Sequence, residues 1–325
     1  MERIIGRDEF LYIVSCIDNN FLFAFSLTCK SAHKAVLDLN LPIMTTYKSQ
    51  VYSIPLLEWA MDNGCPSKEY IWAAEAGKKG NLDVLSWICK RPTPSSWSYA
   101  VDNVAFGGYL HILEWAYEDK NKELTSIYKY SALGGHIHVL EWALEKKIWV
   151  GDGDHYDFSE VTNAAAESGH YDVLNFLRKN GFEWDSWTCA GAARGGHLEV
   201  LQWLRAEGCE WDGNVYLKAA EAGHLDIIKW AYGNGLSRQE HCDMCGYAAK
   251  GGHLAVLQWA HANGFPWGRF AMWWAAYYNQ LEILKWVHAN GCVCNETRSN
   301  RLRFGYGMKI SREVIQWVEE NLGRI

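Results

Sequence analysis

The chain has 325 residues, 49% hydrophobic and 21% charged, which is enough apolar material for a continuous core and excludes a disordered chain. Its formal net charge is -7, so no overall positive field exists to draw nucleic acid or an anionic membrane surface, and neither is expected as a partner. No stretch approaches the ~18 apolar residues of a membrane helix; the richest, Phe21 to Cys29, is broken by Ser26 and Thr28. The opening Met1-Glu2-Arg3-Ile4-Ile5-Gly6-Arg7-Asp8 is not followed by the apolar core of a signal peptide. Ten cysteines without even spacing suit free thiols better than a disulfide framework. A cytoplasmic protein is expected, with the nucleus also open.

Residues 1–45 differ in pattern from the rest of the chain. Asp8-Glu9-Phe10-Leu11-Tyr12-Ile13-Val14, then Phe21-Leu22 and Phe25-Ser26-Leu27-Thr28-Cys29-Lys30, read as short apolar helices. They resemble an F-box, the helical motif that docks on the Skp1 adaptor of ubiquitin ligases, and that resemblance implies docking through Phe10, Leu11, Val14, Leu22 and Leu27. The alternative is a helical cap on the array that begins near residue 46, since terminal units of such arrays need an atypical, polar outer side.

From there to the C-terminus one phrase recurs: a small pair, two variable residues, Gly-His or a relative, then an apolar-acidic-apolar-apolar step ending at tryptophan. The clearest copy runs from Ala192 to Leu204. Taking Trp59, Trp87, Trp115, Trp142, Phe176, Trp203, Trp230, Trp259, Trp286 and Trp317 as one column, the spacings are 28, 28, 27, 34, 27, 27, 29, 27 and 31. Within a copy, Leu198, Val200, Leu201, Trp203 and Leu204 keep one stripe of a 3.6-residue helix apolar. A glycine comes next at the place of a left-handed C-terminal cap (Gly64, Gly181, Gly208, Gly235, Gly264, Gly291), and Asp185 or Asp212 stands ready to start the next helix. A shorter helix carrying the Ala-Ala pair precedes the Gly-His turn.

The fold expected is therefore all-α: an α-solenoid of about nine helix-turn-helix repeats of 27–28 residues with helical caps, occupying residues 46–325. A single helix pair cannot bury both faces, so the units must stack. Each tryptophan is expected between its own repeat and the next. Burial of ~150–250 Å² would then be worth up to roughly 4–6 kcal/mol apiece, and a tryptophan ladder would dominate the core.

Ala-Ala-x-x-Gly-His-Leu-x-Val-Leu, nearly whole at Ala192 to Leu201 and Ala248 to Leu257, resembles the inner phrase of the ankyrin repeat. The period is shorter than the ~33 residues of that family, as if the projecting β-turn finger were missing, and the tryptophan is additional. The style is similar to that of divergent, Trp-rich ankyrin proteins of large DNA viruses, which would place the chain in a host-cell cytoplasm.

Residues that look chemical read more simply as repeat positions. His136, His170, His197, His224 and His253 recur one repeat apart, which suits a scaffold role better than a metal cluster. His241-Cys242-Asp243-Met244-Cys245 has Cys-x-x-Cys spacing, but Cys292 and Cys294 do not supply a matching second pair for zinc. Gly151 to Asp157 lacks the ordered ligands of a calcium loop and reads as a solvated acidic insertion. Arg298, Arg301, Arg303 and Lys309 read as an exposed capping surface. No P-loop, dinucleotide or nucleophile-elbow motif occurs. No catalytic residue, metal or cofactor is expected.

The positions that vary inside this constant frame are the two after each Ala pair, which the helical period turns outward. They nominate Phe106, Leu133, Glu167, Arg194, Glu221, Lys250, Tyr277 and Tyr278 as partner-binding residues, with the two tyrosines as anchors. The ankyrin resemblance implies the same positions, at the border of that family's concave groove. The expected function is a monomeric scaffold that binds a partner protein on the concave face of the array, and that serves as substrate receptor of a ubiquitin ligase if residues 1–45 dock a Skp1-type adaptor as a second partner. The alternative is a structural or host-factor-masking repeat protein without a ubiquitin-ligase link.

Overall fold

A computed structural model describes residues 69–90, 96–119, 126–148, 159–237, 243–268, 270–292 and 310–322, with positions 54, 55, 57, 58 and 124. Among the described residues every regular element is an α-helix. The chain divides into two compact units, Met1–Leu124 and Thr125–Ile325. In the first, α1 (Glu69–Lys79) and α2 (Leu82–Cys89) form one hairpin, and α3 (Ser96–Phe106) and α4 (Leu110–Glu118) form the next. The second unit continues with α5 (Ile127–Gly134), α6 (Ile137–Glu145), α7 (Ser159–Glu167), α8 (Tyr171–Lys179), α9 (Ser186–Gly195) and α10 (Leu198–Ala206). It ends with α11 (Asn214–Ala222), α12 (Leu225–Gly233), α13 (Met244–Gly251), α14 (Leu254–Ala262), α15 (Ala271–Tyr277), α16 (Leu281–Ala289) and α17 (Arg312–Leu322).

The Ala pairs explain how the hairpins stack. Ala165, Ala166, Ala192, Ala193, Ala219, Ala220, Ala248, Ala249, Ala275 and Ala276 are all fully buried. With only a methyl group to accommodate, each first helix lies close along the first helix of the next repeat, much closer than the second helices approach one another. The approach leaves no room for more: a Cβ on Gly195 would strike the Glu167 carbonyl, and one on Gly251 the Glu221 carbonyl.

The tryptophans lie between repeats as their spacing predicts, Trp203 on Tyr171 of α8 and Trp259 on Tyr232 of α12, but they do not dominate the core. On the second helices the fully or almost fully buried residues are those of the apolar-apolar-x-x-apolar step: Val200, Leu201 and Leu204 in α10, Ile227, Ile228 and Ala231 in α12. The tryptophan column is half-buried at Trp87, Trp115, Trp203, Trp230, Trp259, Trp286 and Trp317, with Trp142 alone buried. The reason is angular: at 100° per residue, Trp203 falls roughly 100° from the middle of the stripe made by Val200, Leu201 and Leu204. It stands on the shoulder of the helix and packs edge-on against Trp184 of the preceding loop at 5.5 Å and Tyr171 at 4.6 Å. Trp230 meets Trp211 at 5.5 Å and Trp286 meets Trp267 at 5.6 Å in the same way. Arg178 and Arg205 each lie 4.5 Å over the loop tryptophans Trp184 and Trp211. The column tryptophans and their loop partners thus build an aromatic layer beside a core made mainly of aliphatic residues and alanine, with Trp72 and Tyr216 as fully buried aromatic members.

From α7 to α14 both helices of a repeat end on a glycine with positive φ, and the next N–H returns to the carbonyl five residues back, as in His224 N to Ala219 O (2.9 Å) and Leu236 N to Ala231 O (3.1 Å). Two variants separate what these glycines do. Gly223 (φ +86°) must be left-handed and also lies under the His253 ring, whose Nδ1 would be 2.5 Å from a Cβ. Gly235 (φ +82°) has open space around it. Gly235→Ala is expected to cost about 1–2 kcal/mol from backbone strain alone, and Gly223→Ala roughly twice that because the histidine must also move. Urea unfolding of the full chain checks the order; equal losses would mean the histidine contact contributes nothing.

Candidate protein-docking face on the first helices

The histidines have a defined task. His224 Nε2 is 3.1 Å from the Arg194 carbonyl, and His253 Nε2 is 3.1 Å from the Glu221 carbonyl. A carbonyl only accepts, so Nε2 carries the proton and each histidine donates to the previous repeat. Each ring also covers that repeat's left-handed glycine: His170 over Gly135, His197 over Gly169, His224 over Gly196 and His253 over Gly223. Tyr109 does the same over Gly80, donating its hydroxyl to Lys78 O at 3.1 Å, and Gln280 lies over Gly252. The carbonyls bound in the His224, His253 and Tyr109 contacts belong to Arg194, Glu221 and Lys78, all at the first variable position after the small pair. The tie between repeats therefore fixes the backbone of the positions nominated for binding.

In the second unit these positions meet along the first helices. Arg194 Nε pairs with Glu167 Oε1 at 3.4 Å, and Lys250 Nζ with Glu221 Oε1 at 2.6 Å. Lys218 Nζ lies 4.0 Å from the other Glu221 oxygen. The Glu221 hydrogen bond raises the Lys250 ammonium above the usual lysine range, so it is charged at any physiological pH. Tyr277 and Tyr278 are 37% and 39% exposed, with their rings 5.0 Å apart. Leu133 is half-buried at the end of α5. Phe106 ends α3 in the first unit, exposed, as are Tyr70 and Tyr99, whose rings are 5.2 Å apart.

Sequence reasoning missed several members of this face. Lys250 Nζ lies 5.8 Å from the Tyr247 ring, 5.7 Å from Trp274 and 5.9 Å from Tyr278. Trp273 stacks on Tyr277 at 4.9 Å and touches Trp274 at 4.7 Å. Tyr247 precedes Lys250 by three residues, and Trp273 and Trp274 precede Tyr277 and Tyr278 by four. That spacing puts them on the same helix face, and it was the signal that could have found them. Phe270, one turn before Trp274, is exposed as well.

Of the residues with a chemical look in the sequence, those among the described residues pack in the core or cap helices. Cys245 and Cys292 are buried core residues, and among the described residues no three His, Cys, Asp or Glu side chains are grouped to hold a metal. The buried Cys189 and Cys209 thiols share a hydrogen bond that, with burial, pushes Cys189 well above the usual thiol range. Asp185 accepts from Trp187 N (2.9 Å) and Thr188 N (3.3 Å) at the start of α9, as expected. Phe10, Leu11, Val14, Leu22 and Leu27 lie outside the described residues, with the rest of residues 1–45. So do Trp59, Gly64, Gly151 to Asp157, His241, Cys242, Cys294, Arg298, Arg301, Arg303 and Lys309.

A family model for ankyrin repeats in many copies matches residues 163–205 and 216–261, which span α8, α9, α12 and α13 with most of α7, α10, α11 and α14. The part of the chain that carries Glu167, Arg194, Glu221 and Lys250 is thus similar to ankyrin repeats. No curated protein matches the chain. No helix of the described residues is long and apolar enough to cross a membrane.

One group beside the face gives it a pH signature. Asp243 caps α13 by accepting from Gly246 N at 3.1 Å and is packed against Gly268. Burial pushes its carboxyl up to about 6, against the pull of the Gly246 bond. A carboxyl whose folded pKa lies above its unfolded value near 3.8 holds its proton more tightly when folded, so stability falls as pH rises through that window and the deficit persists at neutral pH. Asp243→Asn keeps the acceptor and removes the charge. It is expected to raise Tm at neutral pH by about 2 °C, with the gain vanishing in acid below the unfolded value. A lower Tm at neutral pH would contradict this assignment.

Proposed function

We propose that the first-helix face of the second unit binds a partner protein, with Glu221, Lys250, Tyr277 and Tyr278 at its centre. Ankyrin repeats are in general protein-interaction modules, and the observation that carries this reading is the exposed aromatic group around Tyr277 and Tyr278. Large aromatic side chains turned to water are what binding surfaces hold in reserve, because rings bring wide contact area at little cost in side-chain freedom. The flanking ion pairs, Glu167 with Arg194 and Glu221 with Lys250, are part-exposed and give little stability. They leave the face close to neutral, with alternating sign along it. The Ala pairs and the histidine ties hold the backbone beneath, so the surface is ordered before a partner arrives.

The test is affinity purification with the full chain and with Tyr277→Ser/Tyr278→Ser. A partner recovered with the native chain is expected to be lost, or weakened at least about tenfold, in the double variant while its thermal melt stays within a few degrees. Retention of the same partner by the folded variant would remove these tyrosines from the interface.

A second function belongs to residues 1–45, which we propose as a docking segment for a Skp1-type adaptor. The support is the apolar set Phe10, Leu11, Val14, Leu22 and Leu27 in its F-box-like spacing. Skp1 is expected to bind the full chain and to lose about tenfold or more in affinity on Leu11→Asp/Leu22→Asp, as measured by calorimetry. No binding to the unaltered chain would leave the segment as a cap. The tryptophan-rich style also suggests a viral source, and with it action in the cytoplasm of a host cell.

A further inference from the structure

Helices α11, α13 and α15 gather an aromatic and acidic environment around one ammonium. Lys250 Nζ has three rings within 6 Å, those of Tyr247, Trp274 and Tyr278, and the Glu221 carboxylate at 2.6 Å. Rings that present their negative faces beside a carboxylate form a place for a cation. The lysine fills it poorly. Its separations from the ring centroids, 5.7–5.9 Å, sit at the outer edge of the ~6 Å range over which such attraction operates. In the same chain the guanidinium groups of Arg178 and Arg205 stack 4.5 Å over Trp184 and Trp211, more than an ångström closer.

An arginine suits these groups better than the resident lysine. Its flat guanidinium stacks on rings and meets both oxygens of a carboxylate at once, whereas an ammonium acts as a point charge. Glu221 presents Oε1 to Lys250 and Oε2 toward Lys218 at 4.0 Å, so both oxygens already face cations. Lys250 is also able to leave: its side chain is 30% exposed and has a flexible stem that regains rotamer freedom in water. The overall charge of -7 favours the approach of a basic segment.

We propose that this is an arginine-binding site, in which an arginine of the partner enters between Tyr247, Trp274 and Tyr278, pairs with Glu221 and sends Lys250 into solvent. The identity of the occupant rests on the docking function proposed for this face, but the site itself is testable without a partner. Lys250 acts as an internal competitor, and the apparent affinity for an external cation is reduced by the fraction of time the lysine occupies the site.

Acetyl-arginine amide is titrated into the full chain, and the Trp274 indole N–H is followed by NMR, its signal assigned from Trp274→Phe. A saturable shift is expected in the native chain. Lys250→Met, which keeps the stem and removes the charge, is expected to bind about tenfold more tightly, and adding Glu221→Gln to that variant to weaken binding about fivefold. Acetyl-lysine amide, acetylated on the α-nitrogen with its ε-ammonium free, is expected to bind several-fold more weakly than the arginine probe. Absence of a saturable shift in Lys250→Met that retains the native thermal melt overturns the proposal, as does equal affinity for the two probes. A negative result with the arginine probe leaves the capture of a partner by the native chain, and its loss in Tyr277→Ser/Tyr278→Ser, to be read on its own, so failure here and failure of the docking face are separately visible.

Discussion

The contact on which the rest of this architecture depends is the one between a histidine and the left-handed glycine of the repeat before it. The glycine turns the chain sharply after the first helix and, lacking a side chain, leaves its surface open for a neighbouring ring. The histidine lies on that surface and gives its Nε2 proton to a carbonyl that the helix terminus would otherwise leave unbonded. Two local requirements, ending a helix and joining the next repeat, are met by the same pair of residues. The buried alanines then set the distance between first helices, and the aliphatic step of the second helix fills the space that remains.

The sequence showed the repeat and its two helices because both arise from periodicity, which survives in each copy. Alanine pairs and cap glycines were equally legible, since few residue types fit a close helix contact or a positive φ. The tryptophans were not. An apolar residue in a regular column reads as core, yet the column lies on the shoulder of the stripe, where an indole keeps one edge in water and packs against a loop ring. The work done by the histidines was hidden for another reason: their partners are backbone carbonyls about thirty residues away, and backbone groups leave no mark on sequence. Lys147 and Asn279 take positive φ where other repeats use glycine, which no composition rule would have flagged.

The nominated binding positions show the same division. Reading down two columns located Glu221, Lys250, Tyr277 and Tyr278, because variation within a fixed frame is visible copy by copy. It did not reveal that Tyr247, Trp273 and Trp274 join them, since a surface is made by a helix face and not by a column. Nor does a column show pairing: Glu167 meets Arg194 and Glu221 meets Lys250 only because alternate signs fall on successive first helices.

The histidine and glycine junction also bears on how such a chain changes its length over evolution. Each histidine from His170 to His253 reaches back only one unit to a bare glycine, and His224 and His253 also meet the same carbonyl position. A unit duplicated by unequal recombination therefore arrives with a junction that already fits on both sides, so the array is able to lengthen without inventing an interface. Where the junction has drifted, as at Asn279 with Ser311 donating its backbone N–H to the asparagine side chain, a copied unit would meet the wrong neighbour. Growth by copying is thus easiest between Gly135 and His253, the stretch in which the join is repeated most faithfully.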